Sequence, residues 1–594
     1  MARHDYRMGL VGNCAFAAHV DDEARVVWLC WPRFDSDFVF GALLDRERGG
    51  ELSVLPAATV ERTTQAYVRN TNVLTTEVVT SEGSYRVTDC APRYVEFGRA
   101  QKPLWLVRKL EPLEGTPRVR VRCRPRGDYG RLAARATFAG DHLRYELGDR
   151  RVLLYGTMSS SHVLGEQAFV LSRPEYLLLT YDLPLESPVA STCEELLART
   201  IAYWHAWVRG CAIGRFYQEE VIRSALVLKL HQFEDTGAII AAATTSLPEA
   251  PGSGRTWDYR YCWLRDAYYT LSALSRIGQF EEMLSFANFI ENVAASVGRG
   301  RLPPVVAIDG TLELPERFVE LAGYDGAGQV RVGNAAFSHV QHDVYGQVIN
   351  ALLQLYVDER LAPSRHTGRE RLIRELLERI DKTLDEPDNS LWELRGRNLH
   401  HGYTALFHWV GAKAAAKIAR SLDDKELVRF AAKLTTRAAR RVEACYDPAL
   451  AAYAQEPGSS AMDASLLQLV SLHFLDPASA RAAAHVAATK SDLATKGGLL
   501  LRYRSADDFG VPANSFLVCA FWHVEALAVM GKIDDALELF ETLLKYQNHL
   551  GLLSEHVDAE TGSQWGNFPQ TYSHVGLMNS VMRIASRIDY PEFF

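Results

Sequence analysis

The sequence predicts an antiparallel β-sandwich over residues 1–190, a helical linker over 191–215 and an all-α domain over 216–594. Three observations carry this. The chain has 594 residues, well beyond one ordinary core, so more than one domain is expected. Up to about residue 190 the apolar residues alternate with a period of two and turn signals are frequent. Beyond it the apolar residues recur at helical spacing, in about a dozen stretches joined by loops of uneven length.

In the first part, TNVLTTEVVTSEGSYRVTDCAP (71–92) alternates on both sides of Ser81-Glu82-Gly83 and reads as a hairpin. RVRVRCRPR (118–126) puts its arginines on one face of a strand, a solvated face rather than a nucleic-acid stripe. YLLLTYDLPL (176–185) adds a further strand. WPRFDS (31–36) is read as part of the sandwich core rather than the border of a site. The linker STCEELLARTIAYWHAWVRGC opens on a Ser/Thr cap, and after it Ile222, Leu226, Leu230 and Phe233 share one helical face. No fixed-length repeat marks a solenoid. Helices in pairs, each with one apolar face, can close into a double ring or stay an open bundle, and periodicity does not choose.

Composition narrows the function. Hydrophobic residues make up 47% and charged residues 23%, as in globular domains with a sizeable core. A net charge of −8 argues against nucleic acid or an anionic membrane as partner. The nine cysteines are scattered with no C-x-x-C pair, which predicts reduced buried thiols rather than a disulfide framework or a zinc knot. The N-terminus lacks the apolar core of a signal peptide and no apolar run is long enough to span a membrane, so a cytoplasmic protein is expected.

Four loops of the second part are rich in groups that bind sugars or move protons. RTWDYRYCWLRDAYYT (255–270) holds Trp257, Tyr259, Trp263, Arg265 and Asp266. Aromatic faces stack on pyranose rings, and an Arg–Asp pair offers a donor and an acceptor to neighbouring hydroxyls. VRVGNAAFSHVQHDVYG (330–346) supplies Asn334, Gln341 and Asp343. Its His339 and His342 form one i, i+3 pair, too little to specify a metal site. DNSLWELRGRNLHH (388–401) places Trp392, Glu393 and Arg395 between two helices. GLLSEHVDAETGSQWGNFPQTYSH (551–574) holds Glu555 and Trp565. Two loop carboxylates, each flanked by sugar-binding chemistry, suit glycosidic hydrolysis, which needs an acid for the leaving oxygen and a second carboxylate as base or nucleophile.

These segments, with VGNCAFAAHVDDEARVVWLCWPRFDSDFVFGALLD (11–45) and LPERFVELAGYDGAGQVRVGNAAFSHVQHDVYG (314–346), resemble glycoside hydrolase family 15, the glucoamylase, glucodextranase and trehalase family, almost end to end and in the family's order. The resemblance implies a β-sandwich joined to an (α/α)6 barrel, and an inverting mechanism releasing β-glucose from the non-reducing end of an α-glucoside. It makes Glu393 the general acid and Glu555 the general base. Arg265 and Asp266 would hold the terminal glucose, Trp392 would wall the sugar site, and Tyr259, Trp263, Gln341, Asp343, Arg395 and Trp565 join them as substrate-binding candidates. No cofactor and no metal is expected. An inverting site wants its carboxyls roughly 6.5–9.5 Å apart. Arg395 would work against a protonated Glu393 if it pointed there, so another partner is expected for it. Two features depart from the family's pattern: His556 follows the base, where glutamine or an acidic residue is more usual, and His400 and His401 follow the acid.

The first expectation is an exo-acting α-glucosidase of the glucoamylase type acting on gluco-oligosaccharides, and the alternative is a trehalase acting on a disaccharide. Both use the same glucose pocket and differ on the leaving-group side. A carbohydrate-binding protein without catalysis would have lost one carboxylate. A phosphorylase would not need the base. Both glutamates are present.

Overall fold

The computed structural model describes residues 3–298 and 300–588. Two antiparallel sheets face each other in the N-terminal part. One runs in the order Met8–Gly12, Ala17–Asp21, Arg25–Cys30, Leu52–Pro56, Arg118–Cys123, Phe169–Val170, with Phe38–Phe40 on the third strand. The other has eight strands and contains the expected hairpin, Leu74–Thr80 with Gly83–Cys90, closed where Thr80 faces Gly83. Their inner faces meet in one core that includes Trp28, Trp31, Phe38, Tyr85, Leu106 and Val121. Two arginines of Arg118–Cys123 reach glutamates: Arg118 pairs with Glu82, and Arg122 with Glu51 and Glu166. All nine cysteines are unpaired. No helix of the described residues is long and apolar enough to cross a membrane.

After the helix Val189–Arg209 the chain forms a double ring of helices. The inner ring is Leu264–Arg276, Asp343–Leu352, Gly402–Ser421, the pair Ala464–Leu467 and Gln468–Ser471, Leu517–Val529, and Thr571–Ile588. Each packs on the next and the last on the first. Outside them lie Gln218–Leu230, Glu281–Val297, Thr367–Thr383, Lys425–Glu443, Ala480–Leu493 and Ile533–Leu544. The architecture is a β-sandwich followed by an (α/α)6 barrel.

In two helices the sequence pattern matches the layer occupied. Leu517–Val529 (LVCAFWHVEALAV) is apolar nearly all round and buried along its whole length, as an inner helix must be. Lys425–Glu443 buries only Leu427, Ala431, Leu434, Ala438 and Val442, one stripe, and its N-terminus is capped by Asp424 accepting from the Leu427 N–H at 2.9 Å. Inner helices approach closely where glycine permits. A Cβ on Gly346 would stand 1.9 Å from the Phe407 carbonyl oxygen of the neighbouring helix.

The WPRFDS segment sits where sandwich and barrel meet. Trp31 and Phe34 are buried, while the carbonyls of Phe34 and Ser36 accept from Arg260 of the barrel at 3.4 and 2.6 Å. The first described residues also cross to the barrel: His4 stacks on Trp565 with ring centroids 4.4 Å apart, and Tyr6 donates to the Gly566 carbonyl at 3.0 Å. The sandwich therefore supports the loop that bears Glu555.

Candidate active site

Loops leading into the inner helices converge on one pocket of about 860 Å3, its open mouth included. Trp263, Arg265 and Asp266 open one inner helix, Phe516 immediately precedes a second, and Gln570 and Tyr572 flank the start of a third. The pocket thus lies at the end of the barrel where inner helices begin, and their partial positive charge favours carboxylates there. Glu393 and Glu555 both line it, from the loops before Gly402–Ser421 and Thr571–Ile588.

The loop bearing Glu393 is held in a fixed, strained shape. Asp388 and Leu399 exchange backbone hydrogen bonds at 2.9 Å and close it. The Asn389 amide donates to the Leu394 carbonyl at 2.8 Å and accepts from the Val340 N–H at 2.8 Å. Inside this frame Ser390 and Glu393 adopt φ of 54° and 58°, a left-handed backbone costing of order 1–3 kcal/mol at a non-glycine residue. The turn aims the Glu393 carboxyl into the pocket. Its Oε1 accepts from Trp263 Nε1 at 2.7 Å, Gln341 Nε2 at 3.2 Å and Arg265 Nη2 at 3.4 Å. Oε2 is left as the oxygen able to present a proton to a substrate.

Trp392 beside it donates to Asp463 at 2.9 Å and packs among Tyr503, Phe516 and Trp522, which fixes its indole as a wall. Arg395 turns away from Glu393, as expected. It pairs with Glu316 at 3.1 Å and lies 5.0 Å from the Trp257 ring centroid.

Glu555 is 2% exposed. Its Oε1 accepts from the Tyr259 hydroxyl at 2.7 Å. The ring of Tyr259 meets Trp263 edge to face at 5.3 Å, so one aromatic wall holds a carboxylate at each end. Oε2 is buried with no hydrogen-bond partner and lies 3.4 Å from His556 Nδ1. Oε1 is therefore the oxygen left to take a proton from water. Gly566 lies directly beneath this carboxyl. It has φ of 79°, and a Cβ there would come within 2.8 Å of Glu555 Cβ and Oε2. Gly566→Ala is expected to displace the Glu555 carboxyl and lower kcat about 10–100-fold, with KM changed far less, since small misplacements of a group near the reacting atoms cost rate rather than affinity. Steady-state kinetics on the cleaved substrate checks this.

Asp266 lines the pocket, and its Oδ2 is buried with no hydrogen-bond partner, 3.8 Å from Arg265 Nε. Burial pushes its carboxyl up to about 7, with the Arg265 guanidinium opposing and the Glu393 and Glu555 charges adding to the rise. Arg265 spreads its fork over Tyr572 (2.9 Å), Gln341 (2.8 Å) and Glu393, which orders the floor of the pocket. The rim is made by Arg255, Trp257, Arg395, Asp507, Asp508 and Phe509.

Not every expected residue arrives there. Trp565 is turned away and packs on His4, because its strand Gln564–Trp565 pairs with His556–Val557 and sends that side chain toward the sandwich. Asp343 is buried behind Arg265, bonded to Gln347 at 2.8 Å, and does not line the pocket. Gln341 reaches the site through Glu393 and Arg265 rather than through the cavity wall.

The histidines separate as well. His339 lines the pocket, while His342 faces Glu386 at 3.6 Å. Among the described residues no cluster of three or more His, Cys, Asp or Glu could hold a metal ion. His401 lies in a separate small cavity with Asp388 and His408, and burial lowers it to about 4. His400 contacts Arg441 at 3.1 Å.

Sequence reasoning missed Glu249, Arg502, Asp507 and Phe509. Glu249 stands in the Pro/Gly-rich stretch SLPEAPGSG, where nothing local marks its carboxylate. The residues near 502–509 carry no local pattern that marks them.

Comparison with known proteins agrees with this geometry. A family model described as glycosyl hydrolases family 15 matches residues 215–582, and one described as trehalase-like, N-terminal, matches residues 2–167. A trehalase of Mycobacterium tuberculosis is 30% identical over 95% of this chain and 87% of its own length. A trehalase of Thermoplasma volcanium is 29% identical over 98% of this chain and 93% of its own. A bacterial glucoamylase crystallised with acarbose shares the fold, with a TM-score of 0.68 at 15% identity over 99% of this chain and 95% of that one. With the family model covering most of the barrel and the curated relatives matching from end to end, the chain belongs to glycosyl hydrolase family 15 and is a glycoside hydrolase.

Proposed function

We propose that the protein is a trehalase, an inverting hydrolase that splits α,α-trehalose into two glucose molecules, with Glu393 as general acid and Glu555 as general base. The observation that carries the catalytic part is the pair of pocket carboxylates in unlike surroundings. Glu393 has one oxygen tied to three donors and the other free, while Glu555 is nearly buried behind Tyr259. The choice of trehalose over the longer glucans first expected from sequence rests on relatives named trehalase that match along the whole chain, N-terminal part included.

In this reading one glucose sits against Asp266 and Trp392, and the second lies toward the rim of Arg255, Trp257 and Arg395. Glu393 Oε2 gives its proton to the oxygen joining the sugars. Glu555 Oε1 takes a proton from the water that attacks the opposite face of the anomeric carbon. Both carboxyls end with the opposite protonation and reset through solvent.

Inversion makes a sharp prediction. The attacked glucose leaves as β and its partner keeps the α configuration, so freshly cleaved trehalose should release equal amounts of α- and β-glucose. Proton NMR within the first turnovers, before mutarotation, reads the ratio. Release of α-glucose alone would exclude inversion. Cleavage of maltose or longer α-glucans in preference to trehalose would return the reading to the glucoamylase type.

A further inference from the structure

The side chain after the base faces a second buried carboxylate that the hydrolytic scheme does not use. His556 is 1% exposed and its ring stacks on Phe516 with centroids 4.8 Å apart. Nδ1 stands 3.4 Å from Glu555 Oε2, and Nε2 stands 3.7 Å from Glu249 Oε2. Neither ring nitrogen has a hydrogen-bond partner, and Glu555 Oε2 has none either. Glu249 is anchored from behind by Trp257 Nε1 at 2.9 Å and Arg502 Nη2 at 3.1 Å. Although burial opposes ionisation, Arg502, His556 and Arg255 hold the Glu249 carboxyl below its usual range.

The ring thus lies between two carboxylates, and only a ring carrying both N–H protons can serve both. The charges point the same way. Glu555, Glu249 and Asp507 face this cluster as anions, and Arg502 and Arg255 as cations, with Arg255 paired to Asp507. A cationic His556 would offset part of this negative charge, to which Asp266 across the pocket also contributes. Tyr259 on Glu555 Oε1 and the Phe516 ring contribute no charge.

We propose that His556, held by Glu249, is a positioning residue that grips the inner oxygen of Glu555 and keeps the base ionised and aimed at the attacking water. This rests on the reading of Glu555 as general base. It predicts that the acid side of the pH–kcat/KM profile belongs partly to His556, because the cation next to Oε2 favours the ionised carboxylate. Removing that cation makes the base easier to protonate, so activity must be lost sooner as pH falls.

The experiment compares wild type with His556→Gln on trehalose, or on maltose or a longer α-glucan if that is what the protein cleaves. The expected result is an acidic limb moved to higher pH by roughly one unit, kcat at the plateau down about tenfold, and KM within twofold. An unmoved limb would overturn the proposal, even with kcat reduced, because a packing role lowers rate without moving the pH at which the base protonates. A changed KM with kcat and limb intact would also overturn it and make His556 a substrate contact.

A second measurement does not depend on the variant folding. In wild-type protein labelled with 15N-histidine, the ring placed next to Phe516 by its cross-relaxation should show a proton on both nitrogens, as a ring serving two carboxylates requires. A singly protonated ring there overturns the inference. Glu555→Gln in parallel separates the two readings. If it stays active, the base assignment itself is wrong. If it is inactive while His556→Gln leaves the limb in place, only the role of His556 falls.

Discussion

Replacing Glu393 with glutamine is expected to lower kcat on a natural glycoside by about 10²–10⁴-fold with little change in KM. Glutamine is nearly isosteric. Its carbonyl oxygen can still accept from Trp263, Gln341 and Arg265, so the loop and the pocket should keep their shape. What is lost is the proton at the second oxygen. Glu555→Gln should lose as much, for the opposite reason: an amide cannot take a proton from the attacking water.

The two variants are told apart by a substrate whose leaving group needs no proton. On α-glucosyl fluoride, Glu393→Gln should recover most of its rate and Glu555→Gln should not. If both recovered, or neither, the division into acid and base would be wrong. Circular dichroism on each variant separates chemical from structural loss.

The second large effect concerns stability. Arg260 and Asp258 form an ion pair whose side chains are both fully buried, with contacts of 2.9 and 2.7 Å. The same guanidinium donates to the Ser36 and Phe34 carbonyls of the sandwich, and Asp258 accepts from the Gly333 N–H at 3.3 Å. Arg260→Ala would strand a buried carboxylate and leave two carbonyls across the domain interface without this donor. Breaking such a pair on one side costs about 3–5 kcal/mol. Denaturant unfolding should show that loss, and Arg260→Lys, which keeps the charge but not the fork, should fall between.

Activity should fall with stability in Arg260→Ala, since Tyr259 sits between the paired residues and its hydroxyl holds Glu555. A variant as stable as wild type would show that the interface does not depend on this pair.

Much of the site is legible in the sequence because its chemistry is packed into short segments. Trp263, Arg265 and Asp266 straddle a helix start, and Trp392 and Glu393 are neighbours in one loop, so local spacing is enough to draw attention to them. Expectation and structure part where a residue shares a segment with the site but not its direction. Trp565 lies ten residues from Glu555, yet strand pairing sends it to the opposite side, against His4. Asp343 opens an inner helix as Asp266 does, but its carboxylate turns to Gln347.

Local sequence is enough to specify the two kinds of domain, and it draws attention to the segments that carry Glu393 and Glu555. Each of these is a matter of short-range periodicity or of residues close together in the chain. Beyond their immediate sequence neighbours, what surrounds those glutamates is a product of tertiary packing. Glu249, His556 and Arg502 become neighbours because the ring of helices closes and brings loops far apart in the sequence to one pocket. Ring closure is a long-range event, set by how whole helices pack, and no short stretch of sequence records which polar side chains it will bury together.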